Sequence, residues 1–477
     1  ELKADYLAEI LKIREACVIF SKILKFEPKN YSVISKILQY KNFENFKDYK
    51  FLFDKFKSIE NKEYDSITRK NIIPTIALIG YGRSGSLFLH SLLDGHPEIS
   101  TLPGYFFKGW FNEETWSKLR PNYKNPNWRK KLSKNIIQLF EPQFNSNSRK
   151  NVIGKPCGDS AWLAKSKGFT RLGDKTSESL VLNPEIFEDN FLKSLNTMDQ
   201  VDSKLCFELI HDAFDKAYRN NSKNHEIDKI IFYHIHNPSA FEHVNFIGNF
   251  PHSKILYLVR NPLQMLESWL LDDLNLLKQN QNYFKTIEIT RRIVNKICYP
   301  FYRLYDPINS LHTGIVRGVR LEDIKKRPKI TIPKICNWMG IKENKNLFKS
   351  EFMGKKFSRP SYSFDNIAGF DLRSVEVPIG RVFGEKDIEI LETLLWPFLN
   401  TYGYTNKSKN EITEKLSKIK PLIGKPLEFE LKLKNQTNFK NIKFKGMDPF
   451  NKMHQQFSDA YHTLTDIGTY PYIIKPL

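Results

Sequence analysis

The sequence predicts an α/β fold: a P-loop-type parallel sheet flanked by helices, with a helical N-terminal extension and a small basic C-terminal appendage. Two segments predict the sheet, because each is a short apolar strand, a turn and then an amphipathic helix. In the first, Thr75-Ile-Ala-Leu-Ile79 leads into Gly80-Tyr-Gly-Arg-Ser-Gly-Ser86, and a helix starts near Ser86. In the second, Lys254-Ile-Leu-Tyr-Leu-Val259 leads into Arg260-Asn261-Pro262, and a helix runs from Pro262 through Leu270. Both strands are apolar throughout, as a strand buried on both faces must be. Proline suits the first turn of the second helix, since its missing N–H has no intrahelical acceptor there.

In chain order, residues 1–70 read as helices, with apolar residues at helical spacing in Tyr6, Leu7, Ile10, Leu11 and in Val33, Ile34, Ile37, Leu38. Pro28 and Asn30 break them into a hairpin. Ala16, Phe20 and Pro28 stand at the spacing of part of a tetratricopeptide unit, but no second copy follows. These helices are expected to make protein contacts. Residues 71–405 form the main domain. The first helix presents Leu87, Phe88, Leu89, Leu92 and Leu93 before Asp94-Gly95-His96-Pro97 ends it. A substrate-specific insert is expected over about 103–230, with an aromatic stretch at Tyr105 to Trp116 and an amphipathic helix near Ser203 to Tyr218. Another helix is predicted from Glu385 to Leu399. Residues 406–477 form the appendage; 407–445 hold eleven Lys against four Glu, and alternation in Leu427 to Leu433 predicts a strand.

With 477 residues, 40% hydrophobic and 13% aromatic, the chain can bury a large core, and its composition excludes collagen-like, coiled-coil and mostly disordered chains. No apolar run is long enough to span a bilayer, so a membrane-spanning protein is not expected. The 74 Lys and Arg exceed the 53 acids, for a net charge of +21 that favours acidic ligands, although lysines spread over every face would give the same sum. Cys17, Cys157, Cys206, Cys298 and Cys336 form neither a disulfide framework nor a zinc pattern, which suits a reducing, cytoplasmic setting. The chain begins at Glu1, and a removed leader stays open.

The loop Gly80–Ser86 has the spacing of a phosphate loop, where backbone N–H groups and the next helix's N-terminus surround an anion. An ATP-type loop requires Lys after its second glycine. Ser86 stands there, and the basic residue is inside the loop as Arg83, whose forked donors suit a phosphate or sulfonate.

The loop Tyr81-Gly-Arg-Ser-Gly-Ser86 with His96-Pro97 after it, and Leu256-Tyr-Leu-Val-Arg-Asn-Pro262 with Ser268, together resemble the sulfotransferase family that uses 3'-phosphoadenosine 5'-phosphosulfate (PAPS). The resemblance covers roughly residues 72–404. It implies that Arg83, Ser84, Gly85, Ser86 and Leu87 bind the 5'-phosphosulfate, that Phe88 stands where a ring stacks on adenine, and that Arg260 and Ser268 bind the 3'-phosphate. Val319-Arg-Leu-Glu-Asp-Ile324, with Pro328 and Trp338-Met-Gly-Ile341, is similar to a later family segment in which Leu321 replaces the usual Tyr. Gly380-Arg381 resembles a nucleotide-contacting segment, which implies a donor contact for Arg381.

Sulfuryl transfer needs a base for the acceptor's proton and a cation for the charge growing on the leaving oxygen. Two bases stay open. Tyr233-His-Ile-His-Asn-Pro238 is similar to a family segment whose histidine is catalytic, which implies that role for His236, with His234 at a lysine position. Gly173-Asp-Lys-Thr176 resembles the carboxylate and lysine segment of glycan-modifying members, which implies Asp174 as base and Lys175 as helper to the leaving group, beside Arg83. No glutamate stands near Leu102 to Gly104, where tyrosylprotein members carry one.

The resemblance therefore implies a PAPS-dependent sulfotransferase that needs no metal and acts on a hydroxyl or amine acceptor, with a carbohydrate or other polar molecule leading. Nucleic acid is not the expected partner. A P-loop kinase or other nucleotide-binding protein, and a basic polyanion-binding protein with a degenerate nucleotide site, stay as alternatives.

Overall fold

Five strands of the computed structural model form its central sheet: β1 (Thr75–Gly80), β2 (Ile99–Ser100), β3 (Ile230–His236), β4 (Lys254–Val259) and β5 (Val316–Arg320). Their order is β2-β3-β1-β4-β5, and every pairing is parallel. The described residues are 74–103, 110–111, 113–139, 169–218, 229–236, 246, 249–250, 253–279, 282–304, 316–361, 364–435, 448–465 and 473–477, with Ile19, Lys22 and Ile23. The N-terminal hairpin and half of the aromatic stretch from Tyr105 to Trp116 lie outside them.

The apolar strands bury both faces, and their alternation feeds two separate cores. Ala77, Ile79, Tyr233, Ile235, Ile255 and Tyr257 face one side, where α2 (Trp128–Leu139), α3 (Pro184–Leu195) and α4 (Ser203–Tyr218) pack. Ile76, Leu78, Phe232, Leu256 and Leu258 face the other, against α1 (Ser86–Leu93), α7 (Leu321–Lys326) and α8 (Pro328–Met339). Crossover connections in parallel sheets put helices on both faces, so the interiors of β1, β3 and β4 are buried. β1 is the central strand, and the loop that follows it lies at the carboxyl edge of the sheet, where strand order reverses and α/β folds bind ligands.

A further core is built entirely from helices. Leucines of α5 (Pro262–Gln279) meet α6 (Tyr283–Leu304) and α9 (Glu385–Leu394) there. The Lys-rich C-terminal segment joins this core through α10 (Lys409–Ile419), α11 (Glu428–Lys434) and α12 (Pro449–Thr465), with lysines outward and Leu416, Phe429, Leu433 and Phe457 inward. At residues 473–477 the chain returns to the sheet: Gly318 N–H donates to Lys475 O (2.9 Å), and Leu477 N–H donates to Gly318 O (2.8 Å).

The strand expected over Leu427 to Leu433 is instead α11. Its alternating apolar residues include Phe429 and Leu433, four apart and both buried, while Leu431 is left 49% exposed. Asp387 decides the outcome, because its carboxylate accepts the N–H groups of Glu428 and Phe429 (2.8 Å each) and so caps a helix start. The helices expected at Ser203 to Tyr218 and from Pro262 are present, the second running on to Gln279. No helix among the described residues is long and apolar enough to cross a membrane.

Candidate functional site

β1 ends at Gly80, and the chain turns through Tyr81–Gly85 before α1 begins at Ser86. Two positive φ values make the turn, 68° at Arg83 and 89° at Gly85, the second a conformation that glycine adopts without strain. Ser84 N–H and Oγ both bond to Tyr81 O (3.0 and 2.7 Å), which closes the loop on itself. Three close approaches then press it into place. A methyl at Gly80 would overlap Ser86 Cβ, one at Gly82 would lie 2.6 Å from the Trp269 ring, and one at Gly85 would lie 2.7 Å from Leu321. Leu321 thus serves as packing for the loop. The first N–H groups of α1 have no intrahelical acceptor, and they open toward the space the loop encloses.

Arg260, directly after β4, is the most unusual group in the site. It is 7% exposed, its Nη1 donates to Arg83 O (2.9 Å), and its Nε and Nη2 are buried with no hydrogen-bond partner among the described residues. Burial pushes its pKa down to about 10, with Glu322 pulling the other way and Arg381 and Arg83 adding to the depression. A buried cation with two unsatisfied donors costs free energy unless an anion completes it.

α5 supplies the opposite wall. Ser268 accepts a hydrogen bond from Arg381 Nη2 (3.0 Å). Arg381 reaches it because Glu267, with no exposed side-chain surface, accepts the N–H groups of Gly380 (3.0 Å), Val382 (3.0 Å) and Phe383 (3.2 Å), and so straps that loop to the helix. Arg83 extends to α5 as well, where its Nη2 donates to Asp272 Oδ2 (2.6 Å). Glu322 holds the turn after β4 by accepting from Asn261 N–H (3.1 Å), and its other oxygen accepts from Tyr404 (2.8 Å).

His236 ends β3 in register with Gly80, and its Nδ1 lies 3.3 Å from Ser86 Oγ. It shares a strand face with His234, which is fully buried, with its Nδ1 3.2 Å from that of His90 on α1. Burial alone drives the His90 pKa down to about 3, so His90 is neutral. Phe88 lies under Phe370, edge to face at 5.2 Å, and the Lys325 ammonium stands 4.5 Å from its ring centre. Lys325 donates to the carbonyls of Gly369 (2.8 Å) and Asp371 (3.0 Å), and burial lowers its pKa to about 8. Leu87 points into the core below the sheet.

Arg83, Ser84, Gly85, Ser86, His236, Arg260, Ser268 and Arg381 therefore lie around one loop. Asp174 and Lys175 do not join them. Their turn is exposed, Asp174 pairs with Lys356 (3.1 Å), and neither residue hydrogen-bonds to the loop, Arg260 or His236. Lys356 belongs to the short hairpin Glu351–Lys356, whose Met353 N–H donates to the carboxylate of Asp94 (2.7 Å), the residue at the far end of α1. The turn lies at that far end, away from the loop at the start of α1. Glu267, Asp272, Tyr404 and Lys325 escaped the sequence reading, and Glu322 stood in a quoted segment without a role. The i,i+4 spacing of Ser268 and Asp272 was the available signal for one of them, but the helix expected from the sequence ended at Leu270, short of Asp272.

Solved structures that overlap the chain loosely include the sulfotransferase domain from the curacin biosynthetic pathway, at 13% identity over 65% of this chain and 95% of that one, with a TM-score of 0.32. The sulfotransferase domain of the Synechococcus PCC 7002 olefin synthase gives 14% identity over 69% and 97%, with a TM-score of 0.32. Sulfotransferase STF1 from Mycobacterium tuberculosis H37Rv gives 14% identity over 69% and 79%, with a TM-score of 0.28. No curated protein matches. The sequence profile of the sulfotransferase family matches residues 74–345, which is more than half of the chain and holds the loop, His236, Arg260 and Ser268; the chain belongs to that family.

Proposed function

We propose that this chain transfers a sulfuryl group from PAPS to a hydroxyl or amine acceptor, releasing 3'-phosphoadenosine 5'-phosphate (PAP). The observation that carries the reading is Arg260: a buried guanidinium with two N–H donors unpartnered among the described residues, near Arg83 and near Arg381, which itself bonds the hydroxyl of Ser268. That set suits a phosphate dianion, which takes several charge-assisted hydrogen bonds at once. In this reading Arg260, Ser268 and Arg381 hold the 3'-phosphate, and the loop from Arg83 to Leu87 holds the 5'-phosphosulfate at the N-terminus of α1. Phe88 packs beneath the nucleotide site.

PAPS supplies an activated sulfuryl group whose bond to the phosphate oxygen breaks as the acceptor's bond to sulfur forms. The protein then has to take one proton and stabilise one leaving anion. His236 takes the acceptor's proton, since it ends β3 beside the loop and imidazole titrates near neutrality. Arg83 and the first-turn amides of α1 face the charge that grows on the leaving oxygen. Asp174 and Lys175 have no part in this scheme. The half-buried rings of Tyr81, Tyr299 and Trp269 beside the loop support a ring-bearing acceptor such as a carbohydrate.

Calorimetric titration with PAP, AMP and ATP, the last with and without magnesium, tests the donor site without an acceptor. Micromolar or tighter PAP binding that disappears in AMP supports the roles of Arg260 and Ser268. Equal or stronger binding of ATP with magnesium would favour a kinase instead, although Ser86 stands where an ATP-type loop carries lysine.

A further inference from the structure

The ion pair between Arg83 and Asp272 is anticipated by no motif, and its surroundings are specific. Asp272 stands one helical turn beyond Ser268 on α5, so the helix face that offers a hydroxyl to Arg381 also offers a carboxylate to Arg83. Trp269 lies between them and presses on Gly82, which keeps the loop against this stretch of helix. The next residue, Asp273, is held from α6 by Arg292 (2.8 Å) and Lys296 (2.9 Å), and this fixes the rotation of α5. At the other end, Arg83 has a left-handed backbone and its carbonyl is held by Arg260. Its side chain is thus placed from both sides.

Asp272 is only half satisfied by this arrangement. Oδ2 accepts from Arg83, whereas Oδ1 is buried with no hydrogen-bond partner among the described residues. Burial raises its pKa, and the Arg83 charge offsets that only in part. A carboxylate held so incompletely is a poor device for stability, because its desolvation is not repaid by its contacts. Its value lies in what it does to Arg83.

We propose that Asp272 is a positioning residue acting through Arg83: it holds the guanidinium beside the loop between turnovers and, by cancelling its charge, weakens the loop's hold on anions so that the bisphosphate product leaves. The inference rests on the donor reading given above. Removing the carboxylate has two opposed effects. Arg83 gains freedom, which lowers anion affinity slightly, and its released guanidinium can turn its donors and full charge to the bound anion, which raises it by more.

Calorimetric titration with PAP at fixed ionic strength measures the difference. Asp272→Asn should bind PAP about tenfold more tightly than the wild type, and Asp272→Glu within about twofold of it. In an Arg83→Gln background, Asp272→Asn should shift the affinity by less than about twofold, because the partner it acts through is gone. A general packing defect would not depend on Arg83. Thermal melting checks that each variant folds, and Asp272→Ser takes the place of Asp272→Asn if the latter does not. Unchanged or weaker PAP binding by the folded variant, or an equal shift in both backgrounds, overturns the proposal. If the wild type binds no PAP, the donor reading fails first; if it does bind and Asp272→Asn leaves the affinity unmoved, only the role of Asp272 is lost.

Discussion

Arg260 shows how a single residue can be read for function from its unmet needs. Its Nε and Nη2 are buried donors without partners among the described residues, and its pKa is depressed because burial outweighs the pull of Glu322. Such a group is retained against its own cost to stability. Arg260→Met should therefore weaken PAP binding by about 100-fold, the loss expected for one or two charge-assisted hydrogen bonds, while leaving the melting temperature unchanged or raised. Titration calorimetry and a thermal melt on the same sample check both halves; a large drop in melting temperature would mark Arg260 as structural. His236 should behave in the opposite way. His236→Ala should bind PAP within about threefold of wild type yet lose roughly two to four orders of magnitude in turnover, the usual worth of a general base. Once an acceptor is found, full activity in that variant would remove His236 from the reaction. Both residues were legible in the sequence, because each stands in a motif at the end of a strand.

At the scale of elements, the site depends on two anchors, one that holds the loop after Gly380 to α5 and one that holds the turn after β1. Glu267 is one of them, with three backbone N–H groups and the neighbouring Arg381 converging on a carboxylate that no solvent reaches. Glu267→Ala should cost about 3 kcal/mol or more in denaturant unfolding, since it strands buried donors. It should also weaken PAP binding, because Arg381 would no longer be aimed at Ser268. Equal stability with equal PAP binding would contradict the strap. The turn after β1 is the second element, where Gly85 combines a φ of 89° with the close approach of Leu321. Gly85→Ala should destabilise by at least about 1–2 kcal/mol from backbone strain alone, measurable by urea unfolding. The glycine spacing of this turn was visible in the sequence. The partners that make each glycine necessary, Ser86, Trp269 and Leu321, come from three parts of the chain and were not. The helix at 428–434 was misread for a similar reason: its apolar residues fit either period, and the carboxylate that caps it lies on another helix.

Across the whole molecule, buried histidines tie stability to pH. His90 and His211 are both pushed down to about 3, by burial first and, for His211, by the charge of His90 second. The unfolded chain takes up protons at these positions near pH 6.5, whereas the folded protein does not. Stability should be full above about 6.5 and fall as the pH drops toward 3, by up to about 2.7 kcal/mol per pH unit for two such groups. Urea unfolding at pH 7, 6 and 5 measures this. His90→Phe should flatten the slope by about half, and a wild-type protein equally stable at all three values would contradict it.

The sequence by itself determined the parallel sheet, the glycine-rich loop after β1 and the arginine after β4. These are local features: an apolar run, a glycine spacing and a residue at a strand end need only their neighbours in the chain. Only the tertiary structure decided which charges meet. Arg83 reaches Asp272, Arg381 reaches Ser268, and Asp174 pairs with Lys356 away from the loop, each between residues far apart in the chain. Those pairings depend on where strand order and helix packing bring distant segments together, and no short pattern in the sequence encodes that distance.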